Sequence, residues 1–168
     1  MERSAYLALR QSYMPAAIRL LVIAESPPES GLYFYEPSGR PSEPLFAAMM
    51  KQLGLQAANK QEGLKAFRDL GLVLVDATYT PVNGPGGRNR NAVILADYPY
   101  LVEDLRGLGA ADGLPIVLIK KNICELLDRR LTADGFNVLN RGRIIPFPST
   151  GQQVKFHRQF REVVPLLP

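Results

Sequence analysis

Leu20-Leu-Val-Ile-Ala-Glu-Ser-Pro-Pro28 is an apolar run that stops abruptly at a carboxylate and two prolines. Its length and branching are those of a strand buried on both faces, as in a parallel sheet. Proline lacks an N–H and fixes φ, so the strand ends by Ser26 and the chain turns sharply. A parallel strand that exits into a polar loop puts that loop at the carboxyl edge of the sheet, where open α/β folds bind ligands. Glu25 is therefore the first site candidate. The alternative is a solvated strand-end residue.

With 46% hydrophobic and 21% charged residues, the 168-residue chain has the composition of one globular domain with an ordinary core, expected to span residues 1–168. No apolar run approaches the roughly 18 residues of a membrane span, so no membrane partner is expected. Charges at Glu2, Arg3 and Arg10 break the first apolar stretch, unlike a signal peptide. The single cysteine, Cys124, excludes an internal disulfide and points to a reducing, cytoplasmic setting. The net charge of +4 is unevenly placed: from Ile119 to Arg161 nine Lys and Arg stand against Glu125, Asp128 and Asp134. A basic C-terminal third suits an anionic partner, DNA or a nucleotide, or is a plain solvated surface.

Outward from the first strand, Glu2–Gln11 has helical composition. After Pro28 comes Gly31-Leu-Tyr-Phe-Tyr-Glu-Pro-Ser-Gly39, a loop with three consecutive aromatics. Loop aromatics usually lack a core to enter, so Tyr33, Phe34 and Tyr35 either stack on a planar ring or pack as a lid over the sheet edge. Ser42 suits the N-cap of a helix reaching Leu53, with Leu45, Phe46, Met49, Met50 and Leu53 as its core stripe. Asn59-Lys-Gln-Glu62 matches a capping box for a second helix, closed by Gly71.

Leu72-Val-Leu-Val-Asp-Ala-Thr78 repeats the first pattern, a buried strand with a carboxylate, Asp76, near its exit. The glycine-rich Gly84–Asn91 segment lacks the Gly-Lys-Ser/Thr ending of a P-loop, which removes ATP hydrolysis on that basis. Its Arg88 and Arg90 either touch phosphates or lie on a plain surface loop. A helix over Tyr100–Leu108 leads to a third strand, Pro115–Ile119, which exits into Lys120 and Lys121. Asn122 then caps a helix from Ile123 to Leu131, on which Cys124 is a core thiol. Phe136–Leu139 and Ile144–Phe147 complete the sheet, and a last helix follows Pro148–Gln152. His157 on that helix reads as a packing or surface residue.

Strands alternating with helices imply a parallel sheet with right-handed crossovers and helices on both faces, a three-layer α/β/α fold. The strand exits then share one rim. They bring together Glu25, Asp76, Lys120 with Lys121, and Phe147-Pro-Ser-Thr-Gly151, the last feeding a helix N-terminus suited to a phosphate.

Three segments of this rim resemble the motifs of the uracil-DNA glycosylase superfamily, whose fold has three layers around a four-stranded parallel sheet. Ala24-Glu-Ser-Pro-Pro28 is similar to the strand-end loop that carries the catalytic polar residue, with Glu25 in the position that one bacterial and archaeal branch fills with Glu. Phe34, or Tyr33 or Tyr35 beside it, would be the ring that stacks on a flipped base. Val75-Asp-Ala-Thr78 is similar to the strand whose asparagine reads the base edge, which gives that role to Asp76. Pro146-Phe-Pro-Ser-Thr-Gly151 is similar to the last motif, in which a histidine normally stands where this chain has Phe147. Losing such a positioned donor commonly costs about 10²- to 10⁴-fold in rate. The branch with Glu holds an iron–sulfur cluster on four cysteines; one cysteine cannot, so no cofactor and no metal are implied.

The resemblance implies a DNA N-glycosylase acting on a damaged or deaminated base. Glu25 would stabilise the oxocarbenium-like sugar, and Phe34, Tyr33, Tyr35 and Phe147 would flank the base. Ionised Asp76 would prefer edges that present N–H groups. Ser149, Thr150, Gly151, Lys120 and Lys121 would hold phosphate. The alternatives are a non-catalytic nucleic-acid or nucleotide-binding module on the same fold, which the ring at Phe147 favours, and an enzyme acting on a free nucleoside or other small anion.

Overall fold

The computed structural model describes residues 1–84 and 89–165. Helix α1 (Arg3–Gln11) precedes strand β1 (Leu20–Ala24). Helices α2 (Pro44–Gln52) and α3 (Lys60–Asp69) lead to β2 (Leu72–Asp76). Helices α4 (Arg90–Ala96) and α5 (Tyr98–Gly107), then a 3-10 turn at Ala110–Asp112, lead to β3 (Pro115–Leu118). Helix α6 (Lys121–Ala133), β4 (Asn137–Val138) and α7 (Gln153–Val163) complete the order. No helix among the described residues is long and apolar enough to cross a membrane.

The strands form a four-stranded, all-parallel sheet in the order β2-β1-β3-β4. Leu20 to Ala24 pair in register with Leu72 to Asp76, and Leu21 to Ile23 with Ile116 to Leu118. Side chains alternate across a strand, so β1 sends Leu20, Val22 and Ala24 to one face and Leu21 and Ile23 to the other. The first face packs on Phe46, Met49, Leu64, Phe67, Phe156 and Phe160 of α2, α3 and α7. The second packs on Ile94, Leu101, Leu105, Ile123, Leu127 and Leu131 of α4, α5 and α6. Helices thus cover both faces, as the alternation of strands and helices predicts.

The start of α3 matches its sequence signature: Asn59 Oδ1 accepts from the Glu62 N–H at 2.9 Å. Other boundaries move. Helix α2 has Glu43 rather than Ser42 at its N-cap, α5 starts at Tyr98, and α6 starts at Lys121, one residue before its expected cap. Part of the segment expected as glycine-rich loop is the start of α4.

Ile144–Phe147 does not join the sheet. The Asn140 side chain is fully buried, accepts from Leu118 N–H at 2.7 Å, and donates to Leu118 O at 3.0 Å. One side-chain amide therefore occupies the ladder positions a further strand residue would use, and β4 ends after two residues. Ile145 O still accepts from the Lys120 N–H at 2.8 Å, which pins the β3 exit.

Candidate functional site

In the order 2-1-3-4, β1 connects outward to β2 on one side while β3 lies on its other side. The switch point of the sheet is the crevice between the exits of β1 and β3, where ligands bind in such folds. Glu25 leaves β1 and Lys120 leaves β3, and their side chains meet there: Lys120 Nζ donates to Glu25 Oε1 at 2.6 Å. Thr78 N–H donates to the Glu25 carbonyl at 3.1 Å, so the residue is held by its backbone as well.

Glu25 is 5% exposed. Its other oxygen, Oε2, accepts from Asn122 Nδ2 at 2.6 Å and lies 3.7 Å from Arg90 Nη1. Buried carboxylates need such partners, because desolvating an unpaired one costs several kcal/mol. Lys120, 25% exposed, adopts φ 84 and ψ 136, a backbone region that costs about 1–3 kcal/mol for a residue with a side chain. That conformation turns the chain from β3 into α6 and brings the ammonium over Glu25.

A pocket of about 300 Å³ opens on the α2 side of this edge, lined by Glu25, Tyr33, Phe34, Asp76, Lys120 and Phe147. Six of the residues singled out from sequence therefore share one cavity. Its size is at the lower end of small-molecule sites, which run from about 300 to 1,000 Å³. Leu32, 51% exposed, also borders the pocket.

The three aromatics are packed rather than free. Phe34 meets Phe46 and Phe67 at centroid distances of 5.6 and 5.2 Å. Tyr33 meets Tyr6 edge-on at 4.8 Å. Tyr35 does not line the pocket: its hydroxyl accepts from Leu74 N–H at 2.8 Å, completing the outer edge of β2. Tyr33 and Phe34 are thus fixed walls, each buried yet bordering the cavity.

What anchors them was not visible in the sequence. Lys60, on α3, is fully buried, and its ammonium donates to Tyr33 O and to Glu43 Oε2, both at 2.6 Å. Glu43 Oε1 in turn accepts from the Arg40 N–H at 2.9 Å. Gly39 packs against this pair, and a Cβ there would collide with Glu43 Oε1 and crowd Lys60 Nζ. No local sequence pattern pairs Asn122 and Arg90 with Glu25, although an Asn and an Arg beside a strand exit are the residue types a buried carboxylate requires.

Asp76, 4% exposed, stands on the same face as Leu74 at the pocket's inner wall, and it also borders a second cavity of about 470 Å³ beside α1 and α5. Burial pushes its pKa up to about 8, reinforced by Asp104 and Glu25 and opposed by Arg10. It is therefore mainly protonated at pH 7, and not the ionised acceptor expected from sequence. The folded-state pKa lies above the unfolded value of 3.8, so the unfolded chain releases this proton first. Stability is fully present below about pH 4, falls as pH rises toward 8, and is level beyond. Asp76→Asn is expected to add up to about 5 kcal/mol at pH 8 and nothing near pH 4. Thermal unfolding at the two pH values measures this; an equal effect at both would show that ionisation of Asp76 is not the cause.

Ser149, Thr150 and Gly151 are exposed at the turn before α7 and do not line the pocket, although Ser149 N–H donates to Phe147 O at 2.8 Å beside it. Lys121 is exposed, 3.9 Å from Glu125, and also outside the cavity lining. Arg88 lies outside the described residues; Arg90 faces Glu25. His157 Nδ1 lies 2.7 Å from Gln52 Oε1 and ties α7 to α2; burial, with Lys51 and Arg161 nearby, lowers its pKa. Cys124 is a buried thiol whose pKa is pushed up to about 11 by burial. Among the described residues no three His, Cys, Asp or Glu side chains gather as a metal site. In comparisons with known proteins, no family model, curated protein or solved structure matches this chain.

Proposed function

We propose that the pocket receives one nucleobase swung out of a DNA strand and that Glu25 assists hydrolysis of its N-glycosidic bond. The observation that carries this reading is a buried carboxylate at the switch point, facing the same aromatic-walled cavity as Asp76 and Phe147. The resemblance of three rim segments to the uracil-DNA glycosylase superfamily supports it, as does a sheet with the architecture that superfamily uses. In the reaction the C1′–N bond breaks and a C1′–O bond forms from water, whose remaining proton goes to the departing base. A negative carboxylate beneath the sugar stabilises the positive charge that develops at C1′. The test is incubation of oligonucleotides containing uracil, hypoxanthine or xanthine with excess protein, scored for abasic product.

A second reading, a binding module without catalysis, is favoured by one observation. Both Glu25 oxygens are already bonded, to Lys120 and Asn122, and Phe147 offers a ring where a donor would serve chemistry. Absence of abasic product together with salt-sensitive DNA binding would select it; absence of both would remove the nucleic-acid reading. In either case log affinity should fall linearly with log salt, by about 0.7–0.9 per phosphate neutralised. Exposed Lys121 is the expected phosphate contact. Lys121→Ala should reduce the salt slope by about one without changing preference among bases. An unchanged slope would place the phosphate path elsewhere.

A further inference from the structure

Asp76 and Tyr33 both line the pocket, and among the described residues neither Asp76 Oδ2 nor the Tyr33 hydroxyl, both buried, has a hydrogen-bond partner. Leaving a buried polar atom unbonded costs about 1–3 kcal/mol, and more if it is charged. The pattern is expected where the missing partner is a ligand. We propose that Asp76 meets its ligand as a neutral carboxylic acid. In that form it reads a ring edge on which a hydrogen-bond donor stands beside an acceptor, and it loses that edge on ionising. The proposal rests on the nucleobase reading of the pocket above and adds how the base is selected and at what pH.

The surroundings of Asp76 argue for the neutral form on geometry. The charges of Arg10 on α1, Asp104 on α5 and Glu25 at the β1 exit act on Asp76, and the Asp76 charge acts in turn on the phenols of Tyr6, Tyr33, Tyr35 and Tyr79. Of these only Arg10 is a cation; both of its Nη atoms are committed elsewhere, and its buried Nε bonds neither Asp76 nor any other described residue. Its Nη1 and Nη2 bond the two Asp104 oxygens at 2.7 Å each, and Nη1 reaches the Tyr79 hydroxyl at 3.1 Å. Lys120 is held by Glu25. Asp76 is 4% exposed and, among the described residues, no cation hydrogen-bonds its carboxyl, so a proton is the readiest counter-charge. The raised pKa of Asp76 agrees.

A carboxylate only accepts hydrogen bonds; a carboxylic acid offers one O–H and one C=O side by side. That pair complements a ring N–H adjacent to a carbonyl, or an amino group adjacent to a ring nitrogen. It does not complement an edge that carries acceptors alone. An asparagine amide offers the same donor and acceptor without titrating, which makes Asp76→Asn the informative variant.

The experiment titrates wild type and Asp76→Asn with deoxyuridine, deoxyinosine and their ring-N-methylated forms at pH 6 and pH 9. The ring N–H of the ligand also loses its proton in alkali, so the amide variant supplies the reference for that effect. Wild-type affinity for the unmethylated nucleosides should fall about tenfold more between the two pH values than that of Asp76→Asn. At pH 6, methylation of the ring nitrogen should cost wild type at least about tenfold. Equal pH dependence in the two proteins, indifference to methylation, or no binding of any nucleoside by wild type at pH 6 would each overturn the assignment. The methylation arm uses wild type alone and does not depend on the variant folding. If oligonucleotides yield no abasic product while these titrations behave as expected, catalysis fails and the reading by Asp76 stands. If abasic product forms without the pH difference, Asp76 is not the reader.

Discussion

On the proposed glycosylase reading, Glu25→Gln is expected to lower base release by at least about 10²-fold while the protein stays folded and DNA affinity stays level or rises slightly. Removing one electrostatic stabiliser of a charged transition state in a water-poor site commonly costs 10²- to 10³-fold. The amide keeps the volume of the side chain, so the pocket walls remain. Its oxygen still accepts from Lys120 or Asn122, and its NH₂ needs a new acceptor. Asn122 Oδ1, buried and without a partner among the described residues, supplies one if that amide rotates. Lys120 loses its counter-charge, but at 25% exposure it reaches water or a phosphate, which is why affinity does not fall. Single-turnover base release, a thermal melt and a binding titration on the same variant separate the outcomes. Unfolding would make Glu25 a structural residue, and an unchanged rate would place the chemistry on another group.

Lys60→Ala should be the most destabilising single change outside the apolar core. Breaking a buried ion pair by removing one partner costs about 3–5 kcal/mol, because the other charge is left uncompensated. Here Glu43 would be stranded and the Tyr33 carbonyl would lose its donor. Burial already lowers the Lys60 pKa, and the Glu43 hydrogen bond and charge oppose it, so the pair stands or falls together. At roughly 2–4 °C per kcal/mol for a chain of this size, the melting temperature should drop by about 6–20 °C. Adding Glu43→Met to Lys60→Met should recover much of the loss suffered by Lys60→Met alone, since it removes the stranded charge. A loss below about 1 kcal/mol would mean that ring packing of Tyr33 and Phe34 suffices to hold the pocket wall. Nucleoside binding should weaken with stability, because the same loop forms one side of the cavity.

These two residues mark the boundary between what the sequence determines and what the tertiary structure decides. Local chemistry suffices for the strand runs at Leu20–Ala24 and Leu72–Asp76, since continuous branched apolar residues ended by polar ones have one low-energy use in an α/β chain. It suffices for the Asn59 cap too, because capping involves residues three apart. The positions of Glu25 and Asp76 at adjacent exits follow from the strands, as does their sharing of one edge. The fate of Tyr33, Phe34 and Tyr35 does not. Whether a loop ring stacks or packs depends on what lies under the loop, and Lys60, 27 residues after Tyr33, provides that support. Asn122 has the sequence of a helix cap, yet the nearness of the β1 and β3 exits turns its amide to Glu25. Asn140 ends β4 by imitating a strand partner, a role no local pattern encodes. The protonation of Asp76 belongs with these: an aspartate in sequence is an anion by default. Only burial beside Asp104 and Glu25, with Arg10 committed to Asp104, makes it an acid that keeps its proton.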